Sequence, residues 1–525
     1  VIKKELLTKL KNESIFSASF FIFLSIFTFL IYLKSIAIPL ISDDYVFVID
    51  LSNWGVFGHT FFRPIIKLYA DLLRPIFGVN PPGYHVFNIL FHIINAFLVY
   101  LVCKLIFNPN NSPENDTDRF GKNLIAACIA LFLAANYSLS QAIFWISGIT
   151  TLMQTFFILM VIYTYSLFVL RKKRSYLIIS LIFFFFGLGA KEGVFVMVGV
   201  IPLLYFSLDC KKPGKEIFLS WTYFWSIGLL YILAAYRVFA VARQGTYTFR
   251  LGWSLFRNIQ QFILSSLLGT PFNDAILYGM QKKILTTEKA WHISWFDPRL
   301  LAGIGCYIIL IIILIKGGKQ TWIFFGAMLG ALLPSTLPES SLSGWLYYPH
   351  PFRTYYTPAI FMIILLVLFF SAQTLFKSRK ATAAVALILL GLSVVNGSRV
   401  FKKAGSWIEV GARYKIIIDE IRKKLDPASI TTPSVLLKIV DGFKRRKVGR
   451  IFYKGVEVDY NISLLRIFRE IKKAKFLIWA QRYTTKEKAY RSISKDVSDR
   501  IKSKQLTLFV YAGNQLTRVN FPEKL

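Results

Sequence analysis

Two adjacent carboxylates, Asp43 and Asp44, stand in the stretch ISDDYVFVIDLSNWGVFGHTFFRP, residues 41–64, directly after the first long apolar run of the chain. Charge at the edge of a bilayer is expensive to bury, so an acid pair at that place points to a task such as moving a proton. Arg63 follows one loop later. Further charges interrupt apolar surroundings: Lys191 and Glu192 in GLGAKEGVF, Arg237 ahead of Arg243 and Arg250, and His350 with Arg353 in HPFRTYYTP. A guanidinium binds phosphate through a planar fork, so arginines around a carboxylate loop suit an oxyanion and phosphate site. Glycines and a lysine also suggest a phosphate loop at Lys191, but the Lys-Ser/Thr ending is absent and the context is a membrane turn. The alternatives for the Lys191-Glu192 pair are a snorkelling turn or a clasp for an anionic substrate.

A second polar pattern lies at His85, Asn88, His92 and Asn95, whose offsets of three, seven and ten keep them on one helical face. In lipid such a face turns into the bundle. The two histidines stand about 10 Å apart along a helix axis, and a shared zinc needs both nitrogens within about 2.1 Å. Helix-to-helix hydrogen bonding is therefore expected of His92 and Asn95, while His85, at the outer end, is a candidate site residue. The four cysteines, Cys103, Cys128, Cys210 and Cys306, fall in or near apolar runs or on the basic side. No disulfide is expected from them, and zinc-type spacing is missing.

The elements that position these residues follow from composition. At 525 residues, 55% hydrophobic, with 49 Phe and a mean hydropathy of +0.52, the chain is too apolar for a soluble globule. Runs at 16–33, 85–107, 124–137, 149–170, 176–190, 194–208, 218–240, 300–315, 322–333, 356–376 and 381–395 make about eleven spans. The first follows Lys3, Lys4, Lys9 and Lys11 but is longer than a signal's apolar region, and is read as an anchored helix. Helices fit such runs, because barrel strands alternate apolar and polar positions.

Basic residues mark the cytoplasmic connections. The N-terminus, Lys104 with Arg119 and Lys122, residues 171–174, Lys211 and Lys212 with Lys215, Lys316 with Lys319, and residues 377–380 all fall on alternate connections. This parity puts the Asp43–Asp44 loop outside, together with 138–148, Lys191–Glu192, 241–299 and 336–355. The amphipathic piece 255–268 then lies along the interface or dips in and returns. The expected division is a membrane domain over 1–400, with external loops 41–85, 241–299 and 336–355, and a small α/β domain over 401–525, outside by parity. Strand-like pieces at 434–440, 450–453 and 505–511 and a helical piece at 463–475 support the second unit. Its basicity suits anionic headgroups or an anionic glycan carrier, or is a solvated face.

Taken together, Asp43-Asp44 after the first helix, Phe62-Arg63-Pro64, the run YHVFNILFHIIN at 84–95, Lys191-Glu192, and Arg353 ahead of Tyr355-Tyr356-Thr357-Pro358 resemble the GT-C glycosyltransferase superfamily. The likeness is to protein O-mannosyltransferase-like members and to the membrane part of the transmembrane and tetratricopeptide-repeat O-mannosyltransferases; it covers about the first hundred residues and is patchy afterwards, and no such repeat follows. The resemblance implies a plasma-membrane, multi-pass α-helical enzyme that takes a hexose, mannose in those relatives, from a polyprenyl-phosphate donor on the non-cytoplasmic face. It also implies a first-loop carboxylate as base, here Asp43 or Asp44, with Asp43 favoured. Arg237, Arg353, Lys191 and Arg63 are candidates for the departing phosphate, with Glu192, His85 and His350 beside them. An Asp-Asp pair can hold Mg²⁺ or Mn²⁺ with substrate oxygens, or nothing. The acceptor is a glycan, lipid or protein hydroxyl, membrane lipids are partners, and no nucleic acid is expected. A lipid-linked glycan ligase or polymerase shares the carrier and face, and a lipid-linked sugar flippase or exporter shares the spans. The second would call for internal repeats or paired broken helices, which the sequence does not display.

Overall fold

A computed structural model describes residues 2–41, 44, 47–48, 62–107, 116–208, 215–242, 308, 311–312, 314–315, 356–363, 378–424, 434–438, 451–453, 456–458, 507–512 and 515–519. Helix α1, Ile2–Tyr32, turns Leu24, Thr28 and Tyr32 inward and leaves Ile22, Phe23, Ile26 and Leu30 exposed, the two-faced pattern of a span at the rim of a bundle. A 3₁₀ turn, Leu33–Ala37, closes it, and Ile38, extended ahead of Pro39, stops the helix. Then come α2, Pro64–Phe77, α3, Pro81–Phe107, and α4, Asp116–Ala135.

The chain bends by 46° between α4 and the 3₁₀ turn Tyr137–Leu139, which leads into the short α5, Gln141–Phe144. Asn136 makes the break, its side-chain oxygen accepting from the Ser138 N–H at 3.1 Å and the Ser138 hydroxyl at 2.6 Å. A local side-chain cap of this kind offers the backbone an alternative to continuing the helix. A second 3₁₀ turn, Ile146–Gly148, feeds α6, Ile149–Arg171, whose side chains are buried along almost its whole length and which is therefore the central helix. Helix α7, Arg174–Ala190, returns beside it. The 3₁₀ turn Glu192–Val196 leads to α8, Met197–Leu208, and α9, Lys215–Ala242, follows. After a helical segment at 356–363 comes α10, Arg379–Lys424.

Among the described residues five helices are long and apolar enough to cross a membrane, six if the bent α4 pair is one span. The chain is a multi-pass membrane protein. The runs expected at 176–190 and 194–208 form helices shorter than a full span, each packed on α6. Close approach there is a matter of side-chain size: a Cβ on Gly187 would come 2.8 Å from the Phe157 Cβ. The runs at 322–333 and most of 300–315 and 356–376 lie outside the described residues.

The buried stripe on α3 behaves as expected. His92 pairs with the Tyr356 hydroxyl and donates from Nε2 to the Ala134 carbonyl at 3.0 Å, and Asn95 donates to the Leu152 carbonyl at 3.0 Å. With Thr155 on the Thr357 hydroxyl at 2.9 Å, these bonds pin segment 356–363 between α3 and α6. Basic side chains gather at the other ends of the same helices. Lys104 reaches Ser17, Lys122 donates to the Phe107 carbonyl, Arg171 donates to Tyr176, and Lys172 sits over the Tyr205 ring.

Helix α10 has 46 residues, roughly twice what a bilayer needs, and runs unbroken across position 400, where the sequence suggested a division. Val400, Ala404, Trp407 and Val410 form its buried row, with the Trp407 ring 5.9 Å from Trp145. Beyond it, β1, Ser434–Lys438, pairs parallel with β4, Thr507–Ala512, which pairs antiparallel with β5, Gln515–Val519; β2, Ile451–Tyr453, and β3, Val456–Val458, make a hairpin. Three of these strands coincide with the expected pieces, and the helical piece at 463–475 lies outside the described residues.

Gly148 gives a direct test of the packing at the head of α6. A Cβ there would stand 2.1 Å from the Ala142 carbonyl oxygen, a backbone atom that cannot move aside, whereas Gly199 on α8 faces open space. Gly148→Ala is expected to cost about 1–3 kcal/mol and lower the melting temperature in detergent, with Gly199→Ala neutral or slightly stabilising.

Candidate functional site

The end of the bundle opposite the basic connections is organised by main-chain groups that find side-chain partners. Residues 38–41 leave α1 in extended form and need partners for their carbonyls. His85 donates from Nε2 to the Ile38 carbonyl at 2.9 Å, and the Trp145 indole donates to the Ile41 carbonyl at 3.0 Å. Asn88 holds the other side, donating to the Ile143 and Trp145 carbonyls at 3.2 and 2.7 Å. From α10, Gly411 comes so near that a Cβ on it would meet the Pro39 ring at 2.7 Å.

Asp44 is fully buried in this knot. Its Oδ1 accepts from the Ser147 N–H at 2.9 Å and its Oδ2 from the Ile41 N–H at 3.3 Å, while its own N–H donates to the Ile41 carbonyl at 3.1 Å. Ser147 lies in the 3₁₀ turn that opens α6, and helix N-termini carry N–H groups without internal partners and a partial positive charge. Asp44 thus caps the central helix from a position 103 residues earlier in the chain. Its neighbour Asp43 lies outside the described residues.

A second cluster forms where the loop re-enters the bundle. Arg63, at the head of α2, meets Glu192, in the connection between α7 and α8: Nε donates to Oε2 at 3.1 Å and Nη2 donates to Oε1 at 2.7 Å and to Oε2 at 3.0 Å. Beside them Lys191 donates to the Thr151 hydroxyl at 2.9 Å, and Tyr231 of α9 donates to the Phe62 carbonyl at 3.2 Å. Burial would push the Glu192 carboxyl up, but the Arg63 guanidinium outweighs it, helped by Lys191, and holds the group at about 2. Gly189 lets α2 approach, since a Cβ there would come 2.9 Å from Ile65.

Of the expected site residues, the structure brings Arg63, Lys191 and Glu192 together, and has Asp44 and His85 each bind main-chain groups of residues 38–41. The Arg237 backbone falls in the last turns of α9, its side chain outside the described residues, as are His350 and Arg353 altogether. Among the described residues no three His, Cys, Asp or Glu side chains gather as a metal site. Sequence reasoning passed over Trp145 and Ser147 in the first cluster and Thr151 and Tyr231 in the second. Thr151 stands one helical turn after Ser147, so the head of α6 touches both. Only the position of 138–148 on the outer side signalled this segment.

No family model matches the chain, and no curated protein matches it. Among solved structures, it is similar to ArnT from Cupriavidus metallidurans in the apo state, at 12% sequence identity over 96% of this chain and 93% of that one, with a TM-score of 0.40. A likeness that loose carries no argument about this chain's fold or chemistry.

The Arg63–Glu192 fork has a pH signature. A carboxyl held near 2 instead of its ordinary 4.5 contributes stability that is full above 4.5 and lost as pH falls toward 2. The melting-temperature gap between the parent and Glu192→Gln should stay level from pH 8 to about 5 and close on further acidification. Glu192 is partly open to solvent, so the gap at neutral pH should correspond to no more than about 1–2 kcal/mol.

Proposed function

We propose that this chain is a GT-C-type membrane glycosyltransferase that moves a hexose from a polyprenyl-phosphate donor to an acceptor hydroxyl, with Asp43 as the base and Asp44 as the residue that positions it. The observation that carries this reading is the state of Asp44. Both of its carboxylate oxygens accept main-chain N–H groups inside the protein, which suits a residue that fixes the loop. Neighbouring residues point their side chains in different directions, so an Asp44 committed to the main chain leaves Asp43 as the candidate base.

The chemistry asks for a base and a place for charge. An acceptor hydroxyl is a weak nucleophile; the carboxylate of Asp43 takes its proton as the acceptor oxygen bonds to the anomeric carbon and the bond to the carrier phosphate breaks. A single displacement of this kind inverts the anomeric centre. The departing phosphate gains negative charge and is stabilised by cations set in place beforehand. Lys191 ranks ahead of Arg63 for that role, because the Arg63 fork is engaged by Glu192. Arg237 and Arg353 complete the candidate set on sequence grounds, with His350 beside Arg353. The basic connections at the opposite end of the bundle mark the cytoplasmic side, so the reaction belongs to the extracytoplasmic face of the plasma membrane.

Single substitutions separate the two aspartates. Asp43→Asn should lose about 10²–10⁴-fold in sugar transfer from a radiolabelled polyprenyl-phosphate hexose while keeping the parent melting temperature. Asp44→Asn should lower the melting temperature and lose less activity, since the amide oxygen still accepts from Ser147. Full activity in Asp43→Asn would overturn the mechanism. With both Asp44 oxygens engaged by the backbone, transfer is expected to survive EDTA; a loss restored by Mg²⁺ or Mn²⁺ would assign the pair to a metal instead.

A further inference from the structure

Helix α10 carries a stripe that changes character at one level. Ile388, Val395, Arg399 and Lys402 share one helical face, and all four are exposed. The face is apolar as far as Val395 and basic from Arg399 onward. Beside it, Leu30 and Lys34 are exposed at the end of α1, and the Lys34 Nζ stands 3.9 Å from the centroid of the Phe401 ring. Lys34 thus flanks α10 where its stripe turns basic. The parts of α1, of α4 and of the turn after α4 that pack on α10 bring no acid to this level: residues 14–42, 119–148 and 379–408 contain neither Asp nor Glu. The next acid along α10, Glu409, stands about 10 Å beyond Lys402 along the axis.

Three glycine contacts fix the level. A Cβ on Gly121, at the basic end of α4, would come 3.3 Å from the Thr382 side chain. One on Gly397 would come 2.9 Å from Ile31 and 3.9 Å from the Ala135 Cβ, at the far ends of α1 and α4, and Gly411 meets Pro39 beyond them. Helix α10 therefore runs from the basic connections toward the site end. From Thr382 to Arg399 it climbs about 26 Å, most of the way across a hydrocarbon core of roughly 30 Å. Arg399, Lys402 and Lys34 stand where acyl chains give way to headgroups, with Val395 one turn below Arg399 and Leu30 one turn below Lys34. The orientation rule places basic residues at the opposite end, so topology does not account for these three.

We propose that Lys34, Arg399 and Lys402 bind the phosphate of an anionic phospholipid in the leaflet at the site end, its acyl chains lying on Leu30 and Val395. The guanidinium offers a planar fork and the two ammonium groups offer point charges, a set that suits a phosphodiester. Charge decides the occupant. A zwitterionic headgroup brings its own cation, whereas phosphatidylglycerol brings a net negative charge to three cations that no neighbouring acid neutralises. A basic side chain near an anionic surface is worth roughly fivefold in binding. The bound lipid braces α10 just before Ala404 and Trp407, the row that packs toward Trp145. This inference rests on the placement of charge and not on the proposed chemistry.

Lipid-specific quenching in nanodiscs of the full chain tests it. A bimane on Val395→Cys, with the signal of the labelled parent subtracted, is quenched by lipids with dibrominated acyl chains, and lipid mixtures report relative affinities. Dibrominated phosphatidylglycerol should be preferred over dibrominated phosphatidylcholine about fivefold or more at this position. In the triple variant Lys34→Gln, Arg399→Gln, Lys402→Gln the preference should vanish, while a bimane on Leu229→Cys, at an exposed position of α9, reads the same ratio in both backgrounds. Salt at about 1 M should flatten the parent preference without any substitution. Equal quenching by the two lipids in the parent would overturn the proposal, as would a preference that survives the triple substitution or falls equally at Leu229. Relief of the quenching by polyprenyl phosphate added as a minor component would also overturn it, because the three cations would then serve the carrier.

Discussion

A buried carboxylate on the N-terminal turn of the central helix is the constraint from which the site end of this bundle follows. Asp44 is fully enclosed, and a charge without partners at such a place would be strongly unfavourable. The N–H groups that open α6 need acceptors, and the dipole of that helix favours a negative charge. Each feature is costly alone, and together they offset one another. Satisfying both ties Asp44, after α1, to the head of the buried central helix.

The rest of the site end extends this arrangement. His85 occupies the carbonyl at 38, Trp145 joins the Asp44 N–H on the carbonyl at 41, and Asn88 holds the carbonyls of Ile143 and Trp145. One turn along α6, Thr151 binds Lys191, and the adjacent Glu192 binds Arg63. The loop between Asp44 and Arg63 is therefore held at both ends by groups that meet the head of α6 or its immediate neighbours.

How much of this was legible in the sequence depends on whether the signal was periodic or pairwise. The stripe His85, Asn88, His92 and Asn95 announced its inward orientation through spacing alone, and the strands near 434, 451 and 507 announced themselves by composition. The acid pair was visible as misplaced charge. What the pair touches was not, because the partner of Asp44 is a main-chain N–H, which every residue except proline possesses and no sequence pattern marks. The Arg63–Glu192 fork was legible as two charged residues expected outside, but their engagement with each other depends on how α2 crosses α7, where Gly189 removes the Cβ that would keep them apart.

The apparent boundary at 400 shows the difference between averaging and periodicity. Composition shifts there toward charge, with Lys402 and Lys403 entering the chain, and a window average reads that shift as the end of a membrane domain. The helix nevertheless continues, because the residues that matter to it lie on one face: Val400, Ala404, Trp407 and Val410 keep the spacing of a buried row while the opposite face becomes polar. A helix that leaves lipid but stays against protein must look like this. Its outer surface meets water and takes on charge, and its inner surface still faces Trp145 and Phe144. Trp407 is thus part of the packing that holds residues 38–41 and Trp145 in place, so the second half of α10 supports the same segment as Asp44.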